Sequence, residues 1–287
     1  MSKERGAVDS VNPVNSLNTN VLSSRAGVVH QRISSIGPCL RGTWFQLRSL
    51  AQTTFFIQNA LLTPVCFALM KIVAYVALGE NVALFAHDMW IDAAIAGLWS
   101  STVTATGIIG YQRYMGTLQY LAASVVSPSA VFFPIVASAA LLGVLGIPAA
   151  LATVAIFAFT SLSISVFNII GYALAMLACV ASAAFLAGFF VFFSKATAYE
   201  PLILIPVWML CGIVTPISNL PLPIQVVAFI HPLTSAVWVA HATTVNTGMI
   251  GMVFLSLGLS CVLLCVASYM LKRALHMAIK EGSLDIL

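Results

Sequence analysis

One pair of opposite charges is the first candidate for chemistry in this chain of 287 residues. Lys71 lies about seven residues, or roughly 10 Å, from the end of a long apolar run. Charges inside membrane-spanning segments are functional candidates by default. Asp92, near the start of the next apolar run, is placed to pair with Lys71. Structural pairing and contact with a substrate both stay open, because a lysine side chain can reach towards the membrane surface.

The remaining reactive side chains form no catalytic or metal-binding pattern. The sequence has no Gly-Lys dipeptide, hence no GxxxxGK[ST] nucleotide loop, and it contains neither HExxH nor GxSxG. Cys261 and Cys265 are interpreted as small packing residues, because no His or carboxylate lies near them. His231 and His241 are interpreted as hydrogen-bonding residues at the membrane surface. We predict no catalytic residue, no metal site and no nucleic-acid partner.

Composition predicts an integral membrane protein. The chain is 61% hydrophobic and only 7% charged, whereas about a quarter of the residues in soluble domains are charged. Between the basic ends of the chain, the only Lys or Arg residues are Lys71, Arg113 and Lys195. Because basic residues collect on the cytoplasmic side of membranes, both termini are predicted to be cytoplasmic. The expected location is the plasma membrane of a bacterium, crossed an even number of times.

Six segments are predicted to cross the membrane, since a span requires about 20 apolar residues. They are Phe55–Leu78, Trp90–Gly110, two helices within Pro128–Phe193, Pro201–Pro216 and Met249–Leu271. Glu80 and Asp88 predict a short acidic outer loop between the first two spans. The polar patch Thr160–Asn168 predicts the outer turn between the third and fourth, with a kink at Pro148. A turn at Gly146–Pro148 is the alternative.

Two shorter segments complete the predicted fold, an all-α integral membrane protein. An amphipathic helix on the membrane surface is predicted from apolar residues that recur every three or four positions and form a stripe, with Arg41 and Arg48 outside it. The stripe consists of Leu40, Trp44, Leu47 and Leu50. The run IQVVAFI is too short to cross and predicts a re-entrant helix before the sixth span. The domain prediction is a disordered cytoplasmic N-terminus (1–36), a transmembrane domain (37–275) and a cytoplasmic tail (276–287).

Tyr111–Pro128 (YQRYMGTLQYLAASVVSP) is a short amphipathic segment on the predicted cytoplasmic side. Within it, GTLQYL followed by Ser127-Pro128 resembles the GTLE, Leu and Ser/Thr-Pro pattern of permeases of the ABC type-2 exporter family. Further on, CGIVTPISNLPLPIQVVAFIHPLT is similar to that family's Gly, Pro, Leu-Pro and Asn-Pro-Leu-Thr sequence. The chain departs from the pattern at Gln112 and Gln119, where acids are common, and at His231, where Asn is usual.

The resemblance covers about residues 37–275 and implies specific roles for two segments. The first would be a coupling helix that docks on a separate ABC ATP-binding subunit. Its residues are Arg113, Gly116, Thr117, Leu118, Gln119 and Leu121. The second would be the outer gate, formed by Gly212, Pro216, Asn219, Leu220, Pro221, His231 and Pro232. A second permease subunit, identical or different, would face this chain within the membrane lipid.

The predicted function is therefore that of a permease subunit in an ATP-driven exporter of amphiphilic or hydrophobic substrates. The chain would have no enzymatic site and would bind no cofactor, because ATP and Mg²⁺ would be bound by the partner ATPase. Ion-coupled secondary transport is the first competing hypothesis, and it is disfavoured because the acidic residues lie outside the predicted helix centres. Two further hypotheses are an intramembrane enzyme and a structural subunit of a membrane complex.

Overall fold

The computed structural model describes residues 36–114, 128–159, 162–192 and 200–281, which form helices and turns with no strand. The helices are α1 (Ile36–Gln52), α2 (Thr54–Ala77), α3 (Val82–Tyr114), α4 (Pro128–Gly143), α5 (Gly146–Ala158), α6 (Val166–Phe192), α7 (Glu200–Leu210), α8 (Leu222–Ala228), α9 (Pro232–Ala240) and α10 (Thr247–Glu281). A short 3-10 turn, Ile217–Asn219, precedes α8. The predicted disordered N-terminus and most of the predicted coupling helix lie outside the described residues.

Five stretches of the described chain are long and apolar enough to cross a membrane. They are Thr54–Ala77, Val82–Ile108, Phe132–Ala158, Val166–Phe190 and Thr247–Arg273. A sixth would be α8 with α9, which together pass the same test but meet at an angle of 99°. The chain is thus all-helical with five or six helices that fit a multi-pass membrane protein. The bend falls within the segment predicted to be re-entrant.

The segment predicted as the fifth span is shorter in the structure. Pro201–Pro216 was expected to cross, but α7 ends at Leu210 and has 11 residues. Such a helix is about 16 Å long, roughly half of the apolar thickness of a bilayer. The chain turns after Cys211 because Gly212 adopts a φ of 86°, a left-handed conformation that suits glycine. A Cβ on Gly212 would also lie 2.9 Å from Ile217.

The second span begins earlier than the sequence predicted. Asp88 was expected in a loop with Glu80, but α3 starts at Val82 and Asp88 lies within it. The start has a physical cause: the side-chain oxygen of Asn81 accepts a hydrogen bond from the Ala83 N–H at 3.1 Å. Such a cap satisfies one of the free donors in the first turn of a helix. Asp92 therefore lies about 15 Å inside α3 rather than near its end.

The third long helix is interrupted before Pro148. Helix α4 ends at Gly143 and α5 begins at Gly146, so that Pro148 lies in the first turn of α5. Proline has no N–H for the carbonyl of Val144, which instead accepts from Ile147 at 3.0 Å. Helix α5 then ends at Ala158 and α6 begins at Val166. The outer turn was predicted between these two residues. Thr160 and Ser161 lie outside the described residues.

Helix α3 lies at the centre of the bundle and pairs with α2 through a polar ladder. Two-thirds of its apolar stretch (67%) is buried, against 17% for that of α10. The Asn59 amide donates to Thr104 at 3.3 Å and its oxygen accepts from Ser100 at 3.3 Å. Interhelical hydrogen bonds of this kind hold helices together where no water is present. The Pro64 ring packs against α3 where a Cβ on Gly97 would approach it to 2.8 Å.

The predicted surface helix corresponds to α1, but its apolar stripe is divided between two surroundings. Leu50 is buried, and Gly42 approaches the ring of Pro134 on α4. Leu40 and Trp44 are 66% and 70% exposed. One part of the stripe therefore packs on protein, while the other is free to contact lipid. An exposed tryptophan suits the membrane interface because its ring is amphipathic.

Candidate functional site

Three ionisable side chains from different helices meet at the end of the bundle that carries the α2–α3 turn. Lys71 lies on α2, Asp92 on α3, and His241 directly follows α9. Lys71 Nζ forms an ion pair with Asp92 Oδ2, and His241 Nε2 lies 3.2 Å from Asp92 Oδ1. Lys71 is 8% exposed and Asp92 is 3% exposed. The sequence predicted the Lys71–Asp92 pair, whereas the third member was not anticipated.

The Lys71–Asp92 pair continues the polar ladder between α2 and α3. Helices α2 and α3 are antiparallel, so moving forward by some number of residues on α2 corresponds to moving back by the same number on α3. The hydrogen bond between Asn59 and Thr104 sets the starting point of this register. Asp92 lies twelve residues before Thr104, just as Lys71 lies twelve residues after Asn59. One turn further, Tyr75 and Asp88 are matched across the same seam. The register of the two helices thus positions all four side chains.

The hydrogen bonds of His241 define its protonation state. Its Nδ1 lies 2.8 Å from the Val237 carbonyl oxygen, which can only accept, so this nitrogen carries a proton. Its Nε2 faces the Asp92 carboxylate, which favours a second proton there. Burial lowers the pKa of His241, but the charge and hydrogen bond of Asp92 and the Val237 carbonyl raise it from 6.5 to about 9. The cluster then holds two cations around one carboxylate.

A dependence of stability on pH follows from His241. Its folded pKa lies above the unfolded value, so its contribution is complete below about pH 6.5 and disappears as the pH rises through about 9. We expect the melting temperature of the purified protein to fall between about pH 7 and pH 10. His241→Gln should show a flatter profile over this range, because it cannot lose that proton. Identical slopes for the two proteins would contradict the assigned charge of His241.

Asn168 fixes the position of α9 and hence of His241. Its amide donates to the Ala240 carbonyl at 2.8 Å, and its side-chain oxygen accepts from the Ser165 N–H at 2.7 Å. The same amide lies 3.3 Å from His87 Nε2. These bonds tie the start of α6 to α3 and α9. Asn168, interpreted from sequence as a turn or cap residue, is 1% exposed and connects three elements.

The cluster lines a cavity of about 440 Å³, which we call the charged cavity. Its other lining residues include Tyr75, Asp88, Ser218, Gln225, Phe229 and Trp238. The predicted gate residues Gly212 and Pro216 also line it. The cavity therefore combines both signs of charge with aromatic rings and two neutral polar groups. Such a mixture is suited to binding a polar ligand.

A second cavity of about 360 Å³, the apolar cavity, lies on the other side of the α7–α8 connection. Its lining includes Trp99, Phe185, Leu186, Val207, Leu210 and Cys211. His231 and Pro232 of the predicted gate line it as well. Consecutive residues face different cavities: Cys211 lines the apolar cavity and Gly212 the charged one, as do Ala228 and Phe229. The linings of the two cavities therefore adjoin at these two points of the chain.

His231 resembles half of a catalytic dyad, but its hydrogen bonds do not support that role. Its Nε2 lies 3.1 Å from Ser182 Oγ. Its Nδ1 accepts from the Leu233 N–H at 3.3 Å, so the proton of the neutral ring is on Nε2. A base must accept the hydroxyl proton through a free nitrogen, and here Nε2 donates to Ser182 instead. His231 caps α9 and packs edge-on against Trp99 rather than lying at an exposed surface.

The remaining predicted site residues fall into two groups. Asn219, Leu220 and Pro221 lie in the connection before α8, where the Leu220 carbonyl accepts from the Gln225 amide at 2.7 Å. The coupling residues from Gly116 to Leu121 lie outside the described residues, and Arg113 is within the last turn of α3. Among the side chains that are described, no group of three or more His, Cys, Asp or Glu residues could hold a metal ion.

Comparison with known proteins adds no relative to this description. The chain matches no model of a known protein family and no curated protein sequence. The functional assignment therefore depends on the residues themselves and on the two cavities.

Proposed function

We propose that this chain is the permease subunit of an ATP-driven exporter of the ABC type-2 class. The observation that carries the proposal is the α8–α9 pair, bent by 99°, which stands directly before the last long helix. That is the position of the re-entrant gate in the family that the GTLQYL and HPLT segments resemble. The two cavities flank this pair, so a movement of α8 and α9 would change both. The distribution of basic residues supports cytoplasmic termini.

The chain carries no nucleotide-binding loop, so the energy would come from a separate ATPase subunit. That subunit would contact Gly116–Leu121 and bind ATP and Mg²⁺. A second permease subunit would complete the pathway, since the apolar stretches of α2 and α10 are only 28% and 17% buried. Those faces are available to lipid and to such a subunit. The cargo would be amphiphilic, in keeping with one charged and one apolar cavity.

Purification from native membranes tests this proposal. We expect the tagged chain to retain a second chain with a GxxxxGK[ST] loop and a vanadate-sensitive ATPase activity. Leu118→Asp with Leu121→Asp should lower the retained ATPase by about tenfold or more, because the charges would replace apolar contacts of the docking helix. Lys195→Gln, in the second predicted cytoplasmic loop, is the matched control and should retain it. A chain that transports without any ATPase would refute the proposal.

One observation favours a second candidate, a proton-coupled secondary transporter. Asp92 is buried within a candidate span beside two cations, whereas the sequence had suggested that acids avoid helix centres. Buried carboxylates of this kind form proton relays in several transporters. Proteoliposomes without ATP distinguish the two candidates. A proton flux through the unsubstituted protein would support the second candidate, and proton-tight vesicles would leave only the first.

A further inference from the structure

The charged cavity offers groups of opposite sign one helical turn apart. With His241 protonated, Lys71, His241 and Asp92 together carry one excess positive charge, because a single carboxylate faces both cations. Asp88 stands four residues before Asp92 on the same face of α3 and also lines the cavity. Among the described residues Asp88 has no ion-pair partner. A separation of about 6 Å along the helix therefore divides a positive region from a negative one.

The positive region has unused hydrogen-bond capacity. An ammonium group has three donors, and the only described acceptor of Lys71 is Asp92. Both side chains are held nine-tenths buried at the cavity wall, so their positions are fixed before a ligand arrives. Donors already desolvated and oriented bind a phosphate oxygen at lower cost than mobile surface lysines do.

The negative region is suited to an amine. The exposed carboxylate of Asp88 is accompanied by the rings of Tyr75 and Trp238 in the cavity lining. Aromatic faces attract ammonium groups in addition to the carboxylate, and Trp238 is the main candidate here because one face of Tyr75 is stacked on Phe85 at 4.4 Å. Phe229 and the adjoining residues Ala228 and Ile230 then lead from the charged cavity to the apolar one.

We propose that the charged cavity binds a zwitterionic lipid headgroup, with its phosphate hydrogen-bonded by Lys71 beside the positive charge of His241, and its amine at Asp88. The apolar part of the same lipid would extend along α8 towards the apolar cavity. This proposal specifies the substrate class of the proposed exporter and depends on that function only for the transport that follows binding. Asp88 would repel an anionic lipid, and Lys71 and His241 would repel a purely cationic one.

Native mass spectrometry of the purified full chain in detergent provides the test. The probes are equal amounts of dioleoyl phosphatidylethanolamine and dioleoyl phosphatidylglycerol, which share acyl chains and differ in the headgroup amine. We expect the unsubstituted protein to retain more of the ethanolamine lipid. Asp88→Asn should lower the ratio of bound ethanolamine lipid to glycerol lipid by about fivefold, the scale of one exposed charge contact. Asp88 is exposed, so the variant should fold normally.

Glu80→Gln is the matched control, because it removes an exposed acid from the preceding turn without changing the cavity lining. It should leave the ratio unchanged. Soluble phosphoethanolamine at the same concentration should not displace the bound lipid if the ligand is a lipid. Preference for the glycerol lipid, an unchanged ratio in Asp88→Asn, or displacement by phosphoethanolamine would each overturn the proposal. No ATPase takes part in this measurement, so its failure is distinct from failure of the exporter assignment.

Discussion

Asp92→Asn is expected to lower the free energy of unfolding by about 3–5 kcal/mol, the usual cost of removing one partner from a buried ion pair. The substitution would leave the Lys71 ammonium and the His241 ring facing each other with no carboxylate between them. Reversible denaturation in mixed micelles measures the loss. The pH profile should flatten at the same time, because the charge and hydrogen bond of Asp92 are the largest contributions that raise the pKa of His241.

Lys71→Met is the informative control for Asp92→Asn. It leaves Asp92 paired with His241, so its cost should be clearly smaller, about 1–3 kcal/mol. The double variant, with Lys71→Met and Asp92→Asn, should be more stable than Asp92→Asn alone, since only one cation then remains. Equal losses for the two single variants would show that His241 does not share the carboxylate. The order of these three stabilities therefore tests the whole cluster.

Gly171→Ala should cost about 3 kcal/mol, at the upper end of the usual range for overpacking, and is the second largest effect that we expect. A Cβ at this position would lie 2.4 Å from the backbone N and Cα of Ala240. Backbone atoms cannot rotate away, so α6 and α9 would have to separate. The separation would also strain the bond from Asn168 to the Ala240 carbonyl. Thermal unfolding in detergent measures the loss.

Gly251→Ala provides the comparison on α10, where a Cβ would meet no atom within 4 Å. Alanine is the better helix former by about 1 kcal/mol, so this variant should be as stable as the parent or slightly more so. A similar loss of stability in both variants would mean that the two positions require glycine for helix flexibility rather than for close packing. Because His241 follows Ala240, Gly171→Ala should also weaken the pH dependence, whereas Gly251→Ala should not.

The sequence was sufficient to predict an all-helical chain with several helices apolar enough to cross a membrane, and the Lys71–Asp92 pair. Long apolar runs identify helices directly, and opposite charges near one turn identify a pair. A further signal was present: Asn59 and Lys71 mirror Thr104 and Asp92 across the α2–α3 turn, so that polar side chains on both helices share one register. The same register places Tyr75, one turn after Lys71, opposite Asp88, one turn before Asp92.

The part played by His241 could not have been predicted in the same way. It reaches Asp92 only because α9 approaches α6 closely at Gly171 and Asn168 holds the carbonyl of Ala240. Neither contact leaves a periodic pattern in the chain. The end of α7 was also missed, since apolar residues continue beyond its last turn and only the backbone of Gly212 interrupts the helix. Tertiary packing and one positive φ angle determine these features.

The segment between the two cavities has a mechanical consequence. At Gly212 the partition is a single stretch of backbone, and the residues on either side of it, Cys211 and Ile213, are 1% and 0% exposed. A tightly packed segment moves as a unit, so a displacement of Gly212 towards one cavity would narrow that cavity and widen the other. The width of each cavity therefore depends on where this segment lies between them.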